Sequence, residues 1–246
     1  QNDQTIGNQI VVLPNGTLVD LFAEFHNENS NKLRGWSVRL IRSTDKGVTW
    51  SNSILVDRLQ TIGVTDPQTG DPVRTGDIIP DVAVDPASGA LYAVWQDSRF
   101  SGGQFDSIAF SQSRDGGLTW STPIKVNLTP GIEPAGDQQA FTASVHAAAD
   151  GTIGVTYYDF RNNTPAATLE TDYFLVHCHP TNQTASSRAA NGSEALARFP
   201  FDTAGAVHPA SARYGLHGCG RRAQRGVFCA RHRQGESPPG RPARHF

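Results

Sequence analysis

The chain has 246 residues, of which 37% are hydrophobic and 12 are Phe, with three Cys, no Met and a formal net charge of −2. That is apolar material for one large all-β domain or two small ones. No apolar run is long enough to cross a bilayer, so no membrane insertion is expected. In chain order, Ile10–Leu13 turns at Asn15-Gly16 into Thr17–Phe22, a strong hairpin signal. A second alternation (Val38, Leu40) leads into Ser43-Thr44-Asp45-Lys46-Gly47-Val48-Thr49-Trp50 and a third (Ile54, Val56) leaves it. The same order then recurs. Val82–Val84 turns at Pro86–Gly89 into Leu91–Trp95, and Ile108 and Phe110 lead into Ser113-Arg114-Asp115-Gly116-Gly117-Leu118-Thr119-Trp120. Ile124 and Val126 follow that second octapeptide. A third hairpin turns at Asp150-Gly151 between Ala143–Val145 and Ile153–Tyr157.

The two octapeptides lie 70 residues apart and share one turn chemistry. An Asp at a turn accepts hydrogen bonds from nearby backbone N–H groups. Gly47 and Gly117 supply the positive φ of a tight reversal, and a Trp is large enough to wedge between neighbouring sheets. Each unit reads as four antiparallel strands over about 65 to 70 residues, longer than a compact propeller blade of about 40–45. The excess lies in connections rich in Pro, Gly and Asp, Thr65–Asp77 and Asn127–Asp137. A decayed third octapeptide places Cys178, Pro180 and Thr184 where Ser113, Asp115 and Thr119 stand. The expected fold is an all-β propeller of four-stranded antiparallel blades at about 7–60, 78–130 and 138–186, with a β-sandwich as the rival.

The pattern Ser-x-Asp-x-Gly-x-Thr-Trp resembles the Asp-box (BNR repeat) of sialidases and related β-propellers. On that resemblance residues 1–186 are a partial six-bladed ring, and Ser43, Asp45, Gly47, Thr49, Trp50, Ser113, Asp115, Gly117, Thr119 and Trp120 mark the fold away from any active site. The family grips a substrate carboxylate with three arginines and uses a Tyr–Glu nucleophile pair with an Asp acid/base, an exception among glycosidases. This chain departs from the pattern. Ile78-Ile79-Pro80 stands where an Arg-Ile-Pro phrase is expected, no Tyr–Glu pair is assignable, and Tyr157 and Tyr158 read as packing residues.

Candidate chemistry lies at the far ends of the second strands. Eight residues past each turn glycine stand Glu24, Asp97 and Asp159, and ten past it stand His26, Arg99 and Arg161. Residues two apart on a strand share a side, so each acid and base meets beside a channel mouth, joined by first-strand entries such as Asp81 and Gln139. Asp97, Arg99, Asp159 and Arg161 are the catalytic candidates, with Arg holding an acid sugar and Asp donating a proton. Glu24, His26 and Asp81 are the substrate-contact candidates. The competing reading makes each Asp-x-Arg pair a lock on its own loop, because the pattern recurs in every repeat. No cofactor and no metal are expected. His177-Cys178-His179 with Cys219 and Cys229 lacks zinc spacing, and Asp66–Asp71 reads as a solvated loop before a Ca²⁺ site.

Residues 187–246 differ in kind. They hold ten Arg, three acids, four Leu and Val together and no Ile, against 11 basic and 20 acidic residues over 1–186. The tail is expected to be disordered or out of frame, and without interleaved aromatics it gives no nucleic-acid surface. The chain begins Gln1-Asn2-Asp3, as a processed or partial product would. The expectation is a secreted, extracellular or periplasmic glycoside hydrolase of the exo-α-sialidase type with a glycan or glycoconjugate partner. The alternatives are a non-catalytic propeller that binds glycans or proteins, and an inactive fragment. Oligomeric state is not legible.

Overall fold

Alternating apolar residues on either side of a turn glycine give each repeat its first hairpin. The computed structural model describes residues 4–26, 35–165 and 169–178. These belong to the first of two compact units, Gln1–Gly215, and the second, Leu216–Phe246, lies outside the described residues, as does the tail from 187 onward. The first sheet runs in sequence order through β1 (Gln4–Val12), β2 (Leu18–His26), β3 (Gly35–Ser43) and β4 (Ile54–Leu59), antiparallel throughout. A two-stranded ribbon follows, β5 (Val64–Thr65) and β6 (Pro72–Val73). The second sheet comprises β7 (Asp81–Val84), β8 (Leu91–Asp97), β9 (Ser107–Ser113) and β10 (Ile124–Lys125), again in chain order. The third holds β11 (Ala140–Ala147), β12 (Ile153–Asp159) and β13 (Asp172–Cys178) among the described residues. Most of the decayed third octapeptide lies beyond them. The result is an all-β, propeller-like succession of antiparallel sheets.

The period of two along each strand gives every sheet two faces, and the hairpin glycine sets which residue goes where. Val19, Leu21, Val38 and Leu40 of the first sheet form one buried core with Leu91, Ala93, Trp95 and Ala109 of the second. Tyr92, Val94, Ile108 and Phe110, from the second sheet's other face, form another core with Ile153, Val155, Tyr157, Phe174 and Val176 of the third. The sheets therefore stack in series through both faces of the second, rather than closing as the two layers of a sandwich.

The two octapeptides form the same hydrogen-bonded turn. Ser43 and Ser113 each donate to the first carboxylate oxygen of Asp45 and Asp115 at 2.8 Å, and accept from the N–H of Gly47 and Gly117 at 2.8 Å. Thr49 and Thr119 donate through both N–H (2.8 and 2.9 Å) and hydroxyl (2.5 and 2.6 Å). Gly117 has φ 92°, and a Cβ built on it would lie 3.1 Å from Leu40 and 3.3 Å from Leu91. The second turn is thus lodged against both sheets of its core.

One expectation needs correction. Trp120 packs against the core between the first and second sheets, but Trp50 is 36% exposed, because no sheet among the described residues precedes the first. The wedge role belongs to position, not to the octapeptide itself. The Thr65–Asp77 connection carries most of the β5–β6 ribbon; Val64 just before it and Val73 within it pack with Phe141 and Phe160 of the third repeat, while Gln68 to Asp71 at the ribbon's tip are exposed. Asp66 directs its Oδ1 to the N–H groups of Gln68 (2.7 Å) and Thr69 (3.2 Å), as a turn does.

The turn carboxylates make a pH prediction. Thr49's hydroxyl and amide, with Ser43, hold Asp45 at about 2. Burial pushes Asp115 up, but Thr119, Ser113 and the Leu118 N–H outweigh it and hold that carboxyl at about 2 as well. A folded-state value below the ordinary 3.8 gives stability that is present above about pH 4 and lost as pH falls toward 2. Asp115→Asn should lower unfolding free energy by about 1 kcal/mol at pH 7, after discounting for solvent screening, and flatten the acid limb. Urea titrations from pH 7 to 2.5 check both.

Candidate functional site

At the ends of β8 and β12 the acid and the base two residues on come together, and both of these pairs also reach back to the preceding sheet. Asp97 is fully buried. It accepts from Trp95 Nε1 (2.9 Å), from Arg99 through N (3.0 Å), Nε (2.8 Å) and Nη2 (2.9 Å), and from Gln60 N (3.3 Å). Arg99 extends to Asp57 Oδ2 (2.9 Å) and the Arg58 carbonyl (2.6 Å), at the β4 end of the first sheet. Asp97 also caps a short 3₁₀ turn at Ser98–Ser101, which aims the guanidinium back at its own carboxylate.

Asp159 repeats the arrangement one sheet later. It too is fully buried, and it accepts from Arg161 Nε (2.9 Å) and Nη2 (2.6 Å) and from the Thr129 hydroxyl (2.7 Å), which lies beyond β10. Arg161 also donates to Tyr157 Oη (3.1 Å) and lies 3.6 Å above the Phe174 ring. Tyr157 Oη accepts from Leu128 N (2.9 Å), and burial pushes the phenol's pKa up. Both carboxylates are therefore satisfied; Arg99 also engages acceptors at the end of β4, whereas Arg161 engages Asp159 and Tyr157 of its own strand. In the first sheet Glu24 pairs with Arg39 at 3.0 Å. The His26 side chain lies outside the described residues.

Asp81 belongs to a second cluster, on the innermost strands. Its Oδ2 accepts from Ser144 Oγ (2.5 Å) and Val145 N (2.8 Å), tying β7 to β11. Gln9 of β1 donates to the Pro80 carbonyl (3.2 Å). Gln9, Asp81 and Ser144 pair with Leu21, Val94 and Thr156, each five residues past its hairpin glycine, so the three are register equivalents. β1 and β11 bulge just before this position, where Gly7 (φ 72°) and Thr142 (φ 50°) take left-handed backbone. Around these residues is a cavity of about 300 Å³, lined by Gln9, Thr75, Ile79, Asp81, Thr142 and Ser144 among others. Its polar groups are one carboxylate, one amide and three hydroxyls, a set suited to hydroxyl-rich ligands.

The connection after β4 walls this cavity, and sequence reasoning missed how. Thr65 and Gln139 exchange two hydrogen bonds (2.8 and 2.7 Å), Asn163 donates to Gln68 (3.0 Å) and Thr142 to the Thr75 carbonyl (3.0 Å). Asp106, also missed, is fully buried, and burial pushes its carboxyl up. It accepts from Thr61 Oγ1 (2.5 Å), Ile62 N (3.0 Å) and Gln96 Nε2 (3.2 Å), while Gln96 Oε1 accepts from Thr142 N (3.1 Å). The available signal was an Asp following the Ser101-Gly102-Gly103 turn and preceding a strand. Among the described residues no group of three or more His, Cys, Asp or Glu is placed to hold a metal ion. Of the sequence's zinc candidates, Cys219 and Cys229 lie outside the described residues, as do His179 and the Cys178 side chain.

No family model matches the sequence. Among solved structures, a Hadza microbial sialidase, Hz136, aligns over 70% of this chain and 35% of its own at 18% identity, with a TM-score of 0.45. The GH93 α-L-arabinofuranosidase of Fusarium graminearum in complex with arabinobiose aligns over 71% and 45% at 17% identity, TM-score 0.42. A leech intramolecular trans-sialidase aligns over 74% and 22% at 18% identity, TM-score 0.39. The chain thus spans less than half the length of each. With every score below 0.5, the likeness assigns neither family nor activity.

The geometry of the pairs predicts a structural penalty. Arg161→Ala leaves the Asp159 carboxylate buried without its cation and should cost about 3 kcal/mol or more. Adding Asp159→Asn to Arg161→Ala should recover part of that loss. Denaturant unfolding of the single and double variants measures both.

Proposed function

We propose that residues 1–186 are part of an Asp-box β-propeller of the sialidase-like type, a partial six-bladed ring with 187–246 as a separate tail. We further propose that the whole protein is an extracellular glycoside hydrolase, of the exo-α-sialidase type, acting on terminal sugars of glycans. The observation that carries this reading is the convergence of Gln9, Asp81 and Ser144, register equivalents from three successive sheets, on one cavity. The Asp-boxes sit at the opposite strand ends, as scaffold. In this reading Asp81 contacts the sugar, with Glu24 and His26 as further contacts. Asp97, Arg99, Asp159 and Arg161 are the candidates for acid/base work and carboxylate binding.

A second reading is a non-catalytic propeller that binds glycans. It is favoured by the closed state of the acid–base pairs: Arg99 and Arg161 are committed to Asp97 with Asp57 and to Asp159 with Tyr157. Turnover of a fluorogenic sialoside, beside neutral fluorogenic glycosides, separates the two. Under the hydrolase reading Asp81→Asn should lower kcat/KM about tenfold or more while the protein keeps its fold. Glycan binding without turnover, weakened by the same substitution, would establish the binder. Turnover lost in a folded Arg99→Ala or Arg161→Ala variant would place chemistry on the pairs.

A further inference from the structure

A hydroxyl group carries one proton, and Thr61 is set between two carboxylates. Its Oγ1 lies 2.5 Å from Asp106 Oδ2 and 3.2 Å from Asp77 Oδ2, and it accepts from Gly63 N at 3.1 Å. With both acids ionised, Thr61 can donate to one of them only, and the other turns a lone pair toward the hydroxyl oxygen. With a proton on one acid every contact is matched. Thr61 then donates once and accepts twice, from Gly63 and from the protonated carboxyl. Asp106 is fully buried and Asp77 half-buried, and burial pushes the Asp106 carboxyl up.

Both arms of this arrangement lead to the cavity. Asp106 Oδ2 also accepts from Gln96 Nε2 (3.2 Å), and Gln96 Oε1 accepts from Thr142 N (3.1 Å). Thr142 keeps a left-handed backbone (φ 50°), which a β-branched residue holds only where its surroundings fix it. Asp77 lies within the segment that supplies Thr75, Gly76 and Ile79 to the other wall. Among the described residues no other charged group bonds to either acid. Ile62 N completes the Asp106 carboxylate (3.0 Å), and β11 reaches this residue through Ala140 N on its carbonyl (2.9 Å). The neighbouring charges are committed elsewhere. Asp97, bonded to Gln60 N, is paired with Arg99, and Asp81 is bonded to Ser144 and Val145, while Arg74 is exposed.

We propose that Asp106 and Asp77 share one proton through Thr61, and that this shared proton positions the two walls of the cavity. Both acids are positioning residues, acting through Gln96 and Thr61 rather than on a ligand. As pH rises the proton leaves to solvent, two anions face one hydroxyl, and the segment carrying Asp77 loosens. The folded chain holds Asp106 above the ordinary carboxylate value of 3.8, so this stabilisation is present in full below that value and lost as pH rises. Its sign is opposite to that of the octapeptide turns. The consequence for ligand binding rests on the cavity reading above; the shared proton itself does not.

Hydrogen exchange of the full chain, followed by NMR, reads the walls at two amides: Ile79, bonded to the Gly76 carbonyl (2.9 Å), and Thr142. Their protection, corrected for intrinsic exchange, should fall about tenfold or more between about pH 4.5 and about pH 7.5, while amides of β2 keep theirs. Asp77→Asn should abolish the fall and keep both amides protected at the higher pH. Its Nδ2 then donates to Thr61, and Thr61 donates to an ionised Asp106. Thr61→Val, close in shape but without the hydroxyl, should lower Ile79 protection at the lower pH to the level the wild type shows at the higher one. Protection that stays flat with pH in the wild type would overturn the proposal. So would an Asp77→Asn chain, folded by its β2 amides, whose protection still falls. These readouts need no ligand, so a cavity that takes no glycan would show in the turnover and binding assays alone.

Discussion

Everything in this chain depends on burying both faces of a sheet whose strands alternate. A four-stranded antiparallel sheet with one covered face is marginal, and one with two covered faces becomes the middle of a stack. The second sheet is such a middle. Tyr92 and Val94 go one way while Leu91, Ala93 and Trp95 go the other, so β8 is buried along its whole length. A one-residue slip would exchange the two sets. The hairpin glycines and the two octapeptide turns fix the phase, and Gly117, pressed between Leu40 and Leu91, leaves no room for a side chain there.

Apolar stacking is non-directional, and the polar clamps supply the direction. Arg99 joins Asp97 of the second sheet to Asp57 of the first. Arg161 joins Asp159 of the third repeat, while Asp159 takes the Thr129 hydroxyl from the segment leaving the second sheet. Such largely buried pairs are costly to break and set geometry more than they add stability. Near the inner strands, Asp81 does the same for β7 and β11, with a cavity beside it that has room for a ligand. The positions with chemical potential are thus also joints, which is why the same residues support both a catalytic and a binding reading.

Much of the architecture was legible because its signals are local. Asn15-Gly16 and Asp150-Gly151 announce hairpins, and Ser113 to Trp120 contains every group its turn uses. The pairing of Asp97 with Arg99 and of Asp159 with Arg161 was also legible from their spacing. The partners from other sheets were not. Asp57 is 42 residues from Arg99 and Thr129 is 30 from Asp159, and no local pattern records such distances. The grip of Gln139 on Thr65 spans 74 residues and turns an apparent loop into a wall of the cavity. Trp50 and Trp120 read alike in sequence, yet differ in burial because, among the described residues, only Trp120 has a preceding sheet to meet.

The central claim is that the acid–base pairs at the strand ends hold adjacent sheets together. A double-mutant cycle on Asp57 and Arg99, by equilibrium unfolding of Asp57→Ala, Arg99→Ala and both, measures that coupling across the sheet boundary directly. A clamp predicts an interaction energy of about 1 kcal/mol or more for this largely buried pair. Additive losses, with no interaction energy, would contradict it.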